Sequence, residues 1–272
     1  MVLRPPRGSH RATAGAVLLA LAAWSGAAAA DPAPLAYQVY FGGLKAMALQ
    51  AELDLSGAAY RAKLTAHTEG MIGWLFSYTA DAQSEGGVVD GRLRPARHVV
   101  ESVARGNQRD TTLTFRPDGT IDTVVEPPAD ADEREPVSAE QQRGTTDPIS
   151  AVLTAARTLA ATGSCTQRLA VFDGRRRYDL EFSDGGREVL QPSEYAAFSG
   201  EATLCLFRYI RIAGYQKPGS SRWSNPRDVE RIYKVWLAPI VPGLPPLPVR
   251  VEAEGTFGTL LVHWIGPSRP QG

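Results

Sequence analysis

Histidine, methionine and cysteine are all scarce here: four, three and two residues among 272. His67, His98 and His263 lie far apart, and none has a second histidine at ligand spacing. A clustered metal site is therefore not expected, and each reads as a structural side chain. The chain also lacks a Gly-x-Ser-x-Gly elbow, a His-Glu-x-x-His pair, a phosphate loop ending in Gly-Lys-Ser/Thr and a dinucleotide-type Gly-x-Gly-x-x-Gly. Those absences leave no motif-based case for an enzyme, and no cofactor is expected. Charge of one sign is lacking too: 29 basic residues balance 29 acidic ones. Bulk nucleic-acid binding, which needs a basic footprint, is not expected.

Past residue 30 no apolar run could span a membrane as a helix. The first thirty residues read as an export leader. Arg4, Arg7, His10 and Arg11 form a basic head, Ala16 to Trp24 an apolar core, and Ala27 to Ala30 a small-residue cleavage site before Asp31-Pro32. We expect a signal peptide over 1–30, cleaved near Ala30, and a periplasmic protein of residues 31–272. The alternative is an uncleaved anchor, against which the shortness of the strongly apolar core weighs. The head has no Arg-Arg pair and the core is followed by no lipidation cysteine. Cys165 and Cys205 would then meet an oxidising compartment. There a disulfide is the expected state and two buried thiols the alternative.

What the chain has in abundance is a two-residue period. Met47, Leu49, Ala51, Leu53 and Leu55 alternate with Gln50, Glu52 and Asp54; Tyr60, Ala62, Leu64 and Ala66 with Arg61, Lys63, Thr65 and His67. Tyr178, Leu180 and Phe182, and later Val249, Val251 and Ala253, repeat the pattern. Such strands have one dry and one wet face, as in antiparallel sheets. The acids Glu52, Asp54, Glu181, Glu252 and Glu254 fall on wet faces; a carboxylate pair for glycoside cleavage has no sign beyond residue type. Ser56-Gly57, Asp90-Gly91, Pro117-Asp118-Gly119, Asp173-Gly174 and Asp184-Gly185-Gly186 supply turn residues. From Cys205 to Tyr209 and from Leu204 to Ile212 both faces of one strand are apolar, which predicts cover on both sides.

One segment has the helical period. Asp147 caps it, Pro148 opens it, and Gly163 ends it. Ile149, Val152, Leu153, Ala156, Leu159 and Ala160 form the stripe. Residues 126–146, rich in charge and proline, read as an irregular loop, and Pro239 to Pro248 as an extended connection. The fold class expected is mainly β: a single domain built as a large curved antiparallel sheet, an open or half barrel, with one amphipathic helix on its concave face. An outer-membrane barrel is disfavoured, because the chain ends Ser268-Arg269-Pro270-Gln271-Gly272 without a terminal aromatic.

Two surface features are candidates for ligand contact. Trp74, Phe76 and Tyr78 alternate as on one strand face, which reads as core or as the wall of an apolar cavity. Lys217, Arg222 and Trp223 sit among Pro, Gly and Ser, which reads as a solvated loop or a grip on an anionic group. Arg175-Arg176-Arg177 reads as a solvated edge beside a hairpin.

The order of several short pieces carries a resemblance. Tyr37 to Leu44, Thr68-Glu69-Gly70, Gly91 to Pro95, Asp147 to Ala151, Phe172 to Tyr178, Val235 to Pro239 and Leu247 to Val251 follow the leader, with Phe257-Gly258 after them. Together they resemble the bacterial exported family known as domain of unknown function 3108. The resemblance covers the chain beyond the leader. It implies an envelope location and a β-rich domain, and it brings no activity and no catalytic residue. In shape the reading is also similar to periplasmic lipoprotein carriers, open curved sheets with a helical lid, which is an analogy of fold alone. The function expected is a non-catalytic binding or carrier module for a lipid or another apolar or amphiphilic ligand. The alternative is an envelope structural or assembly factor acting on a protein partner by strand addition.

Overall fold

The computed structural model describes residue 1 and residues 33–55, 57–128, 134–217, 231–255 and 258–268. Thirteen strands form one sheet: β1 (Ala33–Phe41), β2 (Leu44–Asp54), β3 (Ala59–Thr68), β4 (Tyr78–Val89), β5 (Arg92–Ala104), β6 (Asn107–Phe115), β7 (Ile121–Glu126), β8 (Gln167–Phe172), β9 (Arg177–Leu190), β10 (Gly200–Ala213), β11 (Ile232–Ala238), β12 (Leu247–Gly255) and β13 (Gly258–Gly266). Three helices accompany them among the described residues: α1 (Gly70–Leu75), α2 (Ala139–Gln142) and α3 (Pro148–Thr162). The spatial order is β7-β6-β5-β4-β3-β2-β1-β13-β12-β11-β10-β9-β8, antiparallel throughout. Chain neighbours pair within two arms, and β1 joins them by pairing with β13. The sheet is not closed; β7 and β8 are its edges.

The sheet is rolled. Flat, thirteen strands would span roughly 60 Å, whereas a helix body is only about 10 Å across. Yet α3 packs on β8 at one edge and on β4 and β5 near the other. Its Ala151, Ala156 and Leu159 join Val171, Tyr178, Leu180, Phe182, Cys205 and Val235 in one cluster. Its Leu153 joins Leu35, Leu53, Tyr60, Ala62, Leu93 and Leu247 in a second. The edges approach so closely that a Cβ on Gly174, in the β8–β9 turn, would lie 2.3 Å from Thr111 Cγ2 of β6. The segment before α3 bridges them. Thr146 donates to Ala170 O and accepts from Phe172 N on the free edge of β8, while Gly144 N donates to Gly119 O in the β6–β7 turn.

α3 has the predicted bounds: Asp147 accepts from Ser150 N at 2.9 Å, Pro148 opens the first turn, and Gly163 ends it in the left-handed region at φ +73°. Its stripe is rotated from the one expected. Ser150 and Ala151 are buried, while Val152 and Ala160 face outward, because the sheet wraps the first turn closely enough to admit only small side chains there. β10 is covered on both sides around Leu204 and Cys205 but not to its end: Cys205 faces α3 and Leu204 packs with Trp236, Val249, Phe198 and Ile240, whereas Ile212 is 40% exposed. Val249 and Val251 part company, Val251 joining the helix side, where a register shift at Trp236/Leu237 breaks the alternation.

Three expectations are corrected. Asp184-Gly185-Gly186 is not a turn: β9 runs through it and takes up the extra residue as a bulge opposite Leu204/Cys205, with Gly186 at φ +91°. A Cβ on Gly185 would meet Leu204 Cγ at 2.5 Å. Asp184 instead receives Cys165 N at 2.6 Å and Ser164 Oγ at 2.7 Å, fixing the helix exit. The irregular loop at 126–146 contains α2, held by a Ser138–Gln141 capping box. Trp74, Phe76 and Tyr78 do not share a strand face: Trp74 lies in α1, Phe76 caps it, and Tyr78 begins β4. Gly70 at φ +58° and Gly73, whose Cβ would press on Thr68 O at 3.0 Å, turn the chain into that helix.

Cys165 and Cys205 form the disulfide, closing a separation of 40 residues from the helix exit to β10. Replacing both with alanine is expected to lower the unfolding free energy by about 4 kcal/mol in a denaturant titration. An unchanged midpoint with unchanged slope would contradict it.

Candidate functional site

A cavity of about 480 Å³ opens where β9 begins and β10 ends. The two-residue period builds it. Tyr209 and Arg211 on β10 stand next to Arg231 and Tyr233 at the start of β11, because Arg208 pairs with Ile232 and alternate residues share a face. Arg176, just ahead of β9, completes the floor. Tyr215 and Gln216 form a wall with Arg134, whose backbone bridges to Gln216 and whose Nη1 donates to Gly214 O at 3.2 Å. Gly214, at φ +85°, lets that wall pass, since a Cβ there would lie 2.0 Å from Arg175 O.

The lining joins cations to phenols. Tyr215 OH donates to Tyr209 OH at 2.6 Å, and the Arg211 guanidinium lies 4.1 Å over the Tyr215 ring. Tyr209 in turn stacks on Tyr178 at 4.3 Å. Burial pushes the pKa of both Tyr209 and Tyr215 up, so the phenols stay neutral and the positive charge comes from arginine. Arg175 records how crowded that charge is. Its pKa is lowered by burial first and then by Arg109 and Arg134, against the pull of Asp173. Guanidinium groups beside phenol hydroxyls hold phosphate, sulfate or carboxylate oxygens by charge-assisted hydrogen bonds.

A second constellation lies deeper. Ser84 on β4, His98 on β5 and Asp147 before α3 are each 2% exposed or less. Ser84 Oγ donates to Asp147 Oδ1 at 2.7 Å and lies 2.8 Å from His98 Nδ1, which is itself 3.4 Å from Asp147 Oδ1. Asp147 Oδ1 also accepts from Ser150 N, and Ser150 Oγ shares a 2.6 Å bond with Tyr60 OH on β3. The residue types are those of a hydrolase triad and the geometry is not: the serine bonds directly to the carboxylate, whereas a triad places the imidazole between them. The arrangement is a clasp that ties α3 to three strands. Burial lowers the His98 pKa, with Asp147 acting against it, so the imidazole is held neutral.

Of the other proposed site residues, Trp74 is 86% exposed, Phe76 is at the surface, and Tyr78 is half-buried with its ring stacked on Phe76. Lys217 is exposed beside the cavity wall, and Arg222 and Trp223 lie outside the described residues. The structure does not bring the Trp74 group and Lys217 into one site. His67 lies 3.4 Å from Glu69, and His263 meets the Tyr40 ring. No group of three or more His, Cys, Asp or Glu among the described residues is placed to hold a metal. Arg175-Arg176-Arg177 is more than a solvated edge: Arg176 lines the cavity, Arg175 donates to Pro127 O, and Arg177 pairs with Asp179. The signal for this cavity was in the sequence as Tyr-x-Arg in β10 and Arg-x-Tyr entering β11, two alternations that only strand pairing brings together.

The architecture defines a class of open, β-barrel-like domains. It is similar to the crystal structure of a beta-barrel-like protein of domain of unknown function DUF1849 from Brucella abortus. The TM-score is 0.50 and the identity 10%, covering 89% of this chain and 99% of that one, a likeness of fold alone. The chain belongs to the DUF3108 family, proteins of unknown function, whose model matches residues 36–263. No curated protein matches it significantly.

The neutral His98 has a consequence for stability. Its folded pKa lies below the ordinary 6.5, so at intermediate pH the unfolded chain binds a proton that the folded chain refuses. The stabilisation is complete above 6.5 and is lost as pH falls through the folded value. Unfolding free energies between about pH 7.5 and 5.5 are expected to fall for the wild type and to fall less steeply for His98→Asn. Some slope should remain from His263, whose pKa burial also lowers. Equal slopes would contradict the assignment.

Proposed function

We propose that this protein is a non-catalytic binding module of the bacterial periplasm that holds an amphiphile by its anionic head group. The cavity lined by Arg134, Arg176, Arg211, Arg231 and three tyrosines carries the reading. Its volume of about 480 Å³ falls within the range of about 300–1,000 Å³ of small-molecule sites. It suits a head group; longer apolar chains would lie outside it against the rim of the sheet, gaining about 25 cal/mol per Å² of buried apolar surface. The lining holds and orients an oxyanion. The Cys165–Cys205 disulfide supports an oxidising compartment, and no described helix is long and apolar enough to cross a membrane.

The test is native mass spectrometry of gently purified protein, followed by titration with short-chain phosphatidylglycerol and phosphatidylcholine. The anionic lipid is expected to bind at least about tenfold more tightly, and Arg176→Ser with Arg211→Ser to remove that preference, since a hydrogen bond to a charged group contributes about 1.5–3 kcal/mol. Equal affinity for both lipids, or an unaffected double variant, would overturn the reading. Recovery of a stoichiometric protein in place of lipid would favour an assembly role.

A further inference from the structure

An antiparallel meander returns every second connection to the same end of the sheet. The β1–β2, β3–β4, β5–β6 and β12–β13 connections therefore share one rim with the mouth of the arginine cavity. That rim carries an unusual amount of exposed apolar surface. Met71, Trp74 and Leu75 of α1 are 66%, 86% and 64% exposed, and Phe76, Phe41 and Leu44 beside them are also at the surface.

These side chains do not hold α1 in place. The helix has no buried residue and no side-chain cap. Its backbone is docked instead: Glu69 N donates to Ala46 O, and Gly70 and Gly73 let the chain press against Lys45 O and Thr68 O. The bulky apolar groups are thus free to point away from the fold, a cost in water that a soluble face would not carry. Cations flank them. The Arg105 guanidinium lies 4.9 Å over the Phe76 ring, and Lys45 is exposed at the start of β2. Glu69, which directly precedes α1, is engaged by Gln38 and His67. Farther along the same rim stand the cavity's arginines.

Tryptophan and aliphatic side chains at a tip, with a Lys and an Arg beside them, are what a bilayer interface accepts: the rings sit at head-group depth and the cations meet anionic lipid. We propose that this rim docks on an anionic lipid bilayer, with α1 inserted at the level of the head groups. The inference stands on α1 and its neighbours and does not need the cavity to hold a ligand.

The experiment uses protein purified from cells expressing the full chain, mixed with phosphatidylglycerol-rich vesicles that carry brominated acyl chains. The fluorescence of Trp74 is taken as the difference between wild type and Trp74→Phe. That component is expected to be quenched, and quenching to weaken at high salt or in phosphatidylcholine vesicles. Trp74→Ser with Leu75→Ser is expected to lower vesicle co-sedimentation about tenfold, and Lys45→Glu with Arg105→Glu to act in the same direction. The Arg176→Ser, Arg211→Ser cavity variant should still dock through α1, which separates this inference from the ligand site. A Trp74 component that vesicles leave unquenched would overturn it, as would cross-linking from position 74 in cells that yields a single stoichiometric protein and no lipid.

Discussion

A single carboxylate, Asp147, fastens the parts of this fold that the chain itself leaves separate. A thirteen-stranded sheet with one apolar face has to roll or find a partner, and among the described residues only one helix of useful length is available to fill the roll. Asp147 caps that helix, receives Ser84 from β4, and lies beside His98 from β5. One residue earlier, Thr146 pairs with the free edge of β8. Residues 144–147 and the first turn of α3 therefore join the β8 edge of one arm to β4, β5 and the β6–β7 turn of the other. A buried carboxylate left without these donors would be strongly destabilising, so the network specifies where the helix sits as well as adding to stability.

The rolled shape separates two kinds of surface. Inside, α3 and the two clusters around it are packed, with the disulfide closing the end at the helix exit. At one rim lie the arginine and tyrosine cavity on one arm and the exposed α1 on the other. If, as proposed, the cavity takes a head group and α1 meets a bilayer, their place at the same rim would allow an amphiphile to pass between membrane and protein without crossing much water.

Much of the scaffold was legible in the sequence because its signals are local. Asp147-Pro148 and Gly163 mark the ends of α3 by capping chemistry alone, and the alternation around Leu53, Tyr60 and Phe182 gives the buried face of each strand. What misled was alternation without a strand. Trp74, Phe76 and Tyr78 are spaced by two, but Gly70 and Gly73 bend that stretch into a helical turn and point Trp74 outward. Asp184-Gly185-Gly186 reads as a turn because bulges and turns both recruit glycine; pairing with β10 decides between them. The cavity's alternations were in the sequence, but their meeting was not legible, because Arg176, Arg211 and Arg231 come together only once β9, β10 and β11 pair, and Arg134 joins them through its bridge to Gln216. The clasp was invisible for the same reason: Ser84, His98 and Asp147 are each unremarkable until β4, β5 and the helix start converge.

Hydrogen–deuterium exchange on Asp147→Ala measures the role of this clasp directly. The account predicts that protection is lost across α3 and residues 143–147 and along β8, while the β1–β3 core keeps its slow amides, because the helix and the edge it bridges open as one unit. If α3 kept its wild-type protection in the variant, or the whole chain unfolded together with no such local difference, the claim that Asp147 fixes the helix within an otherwise self-supporting sheet would be contradicted.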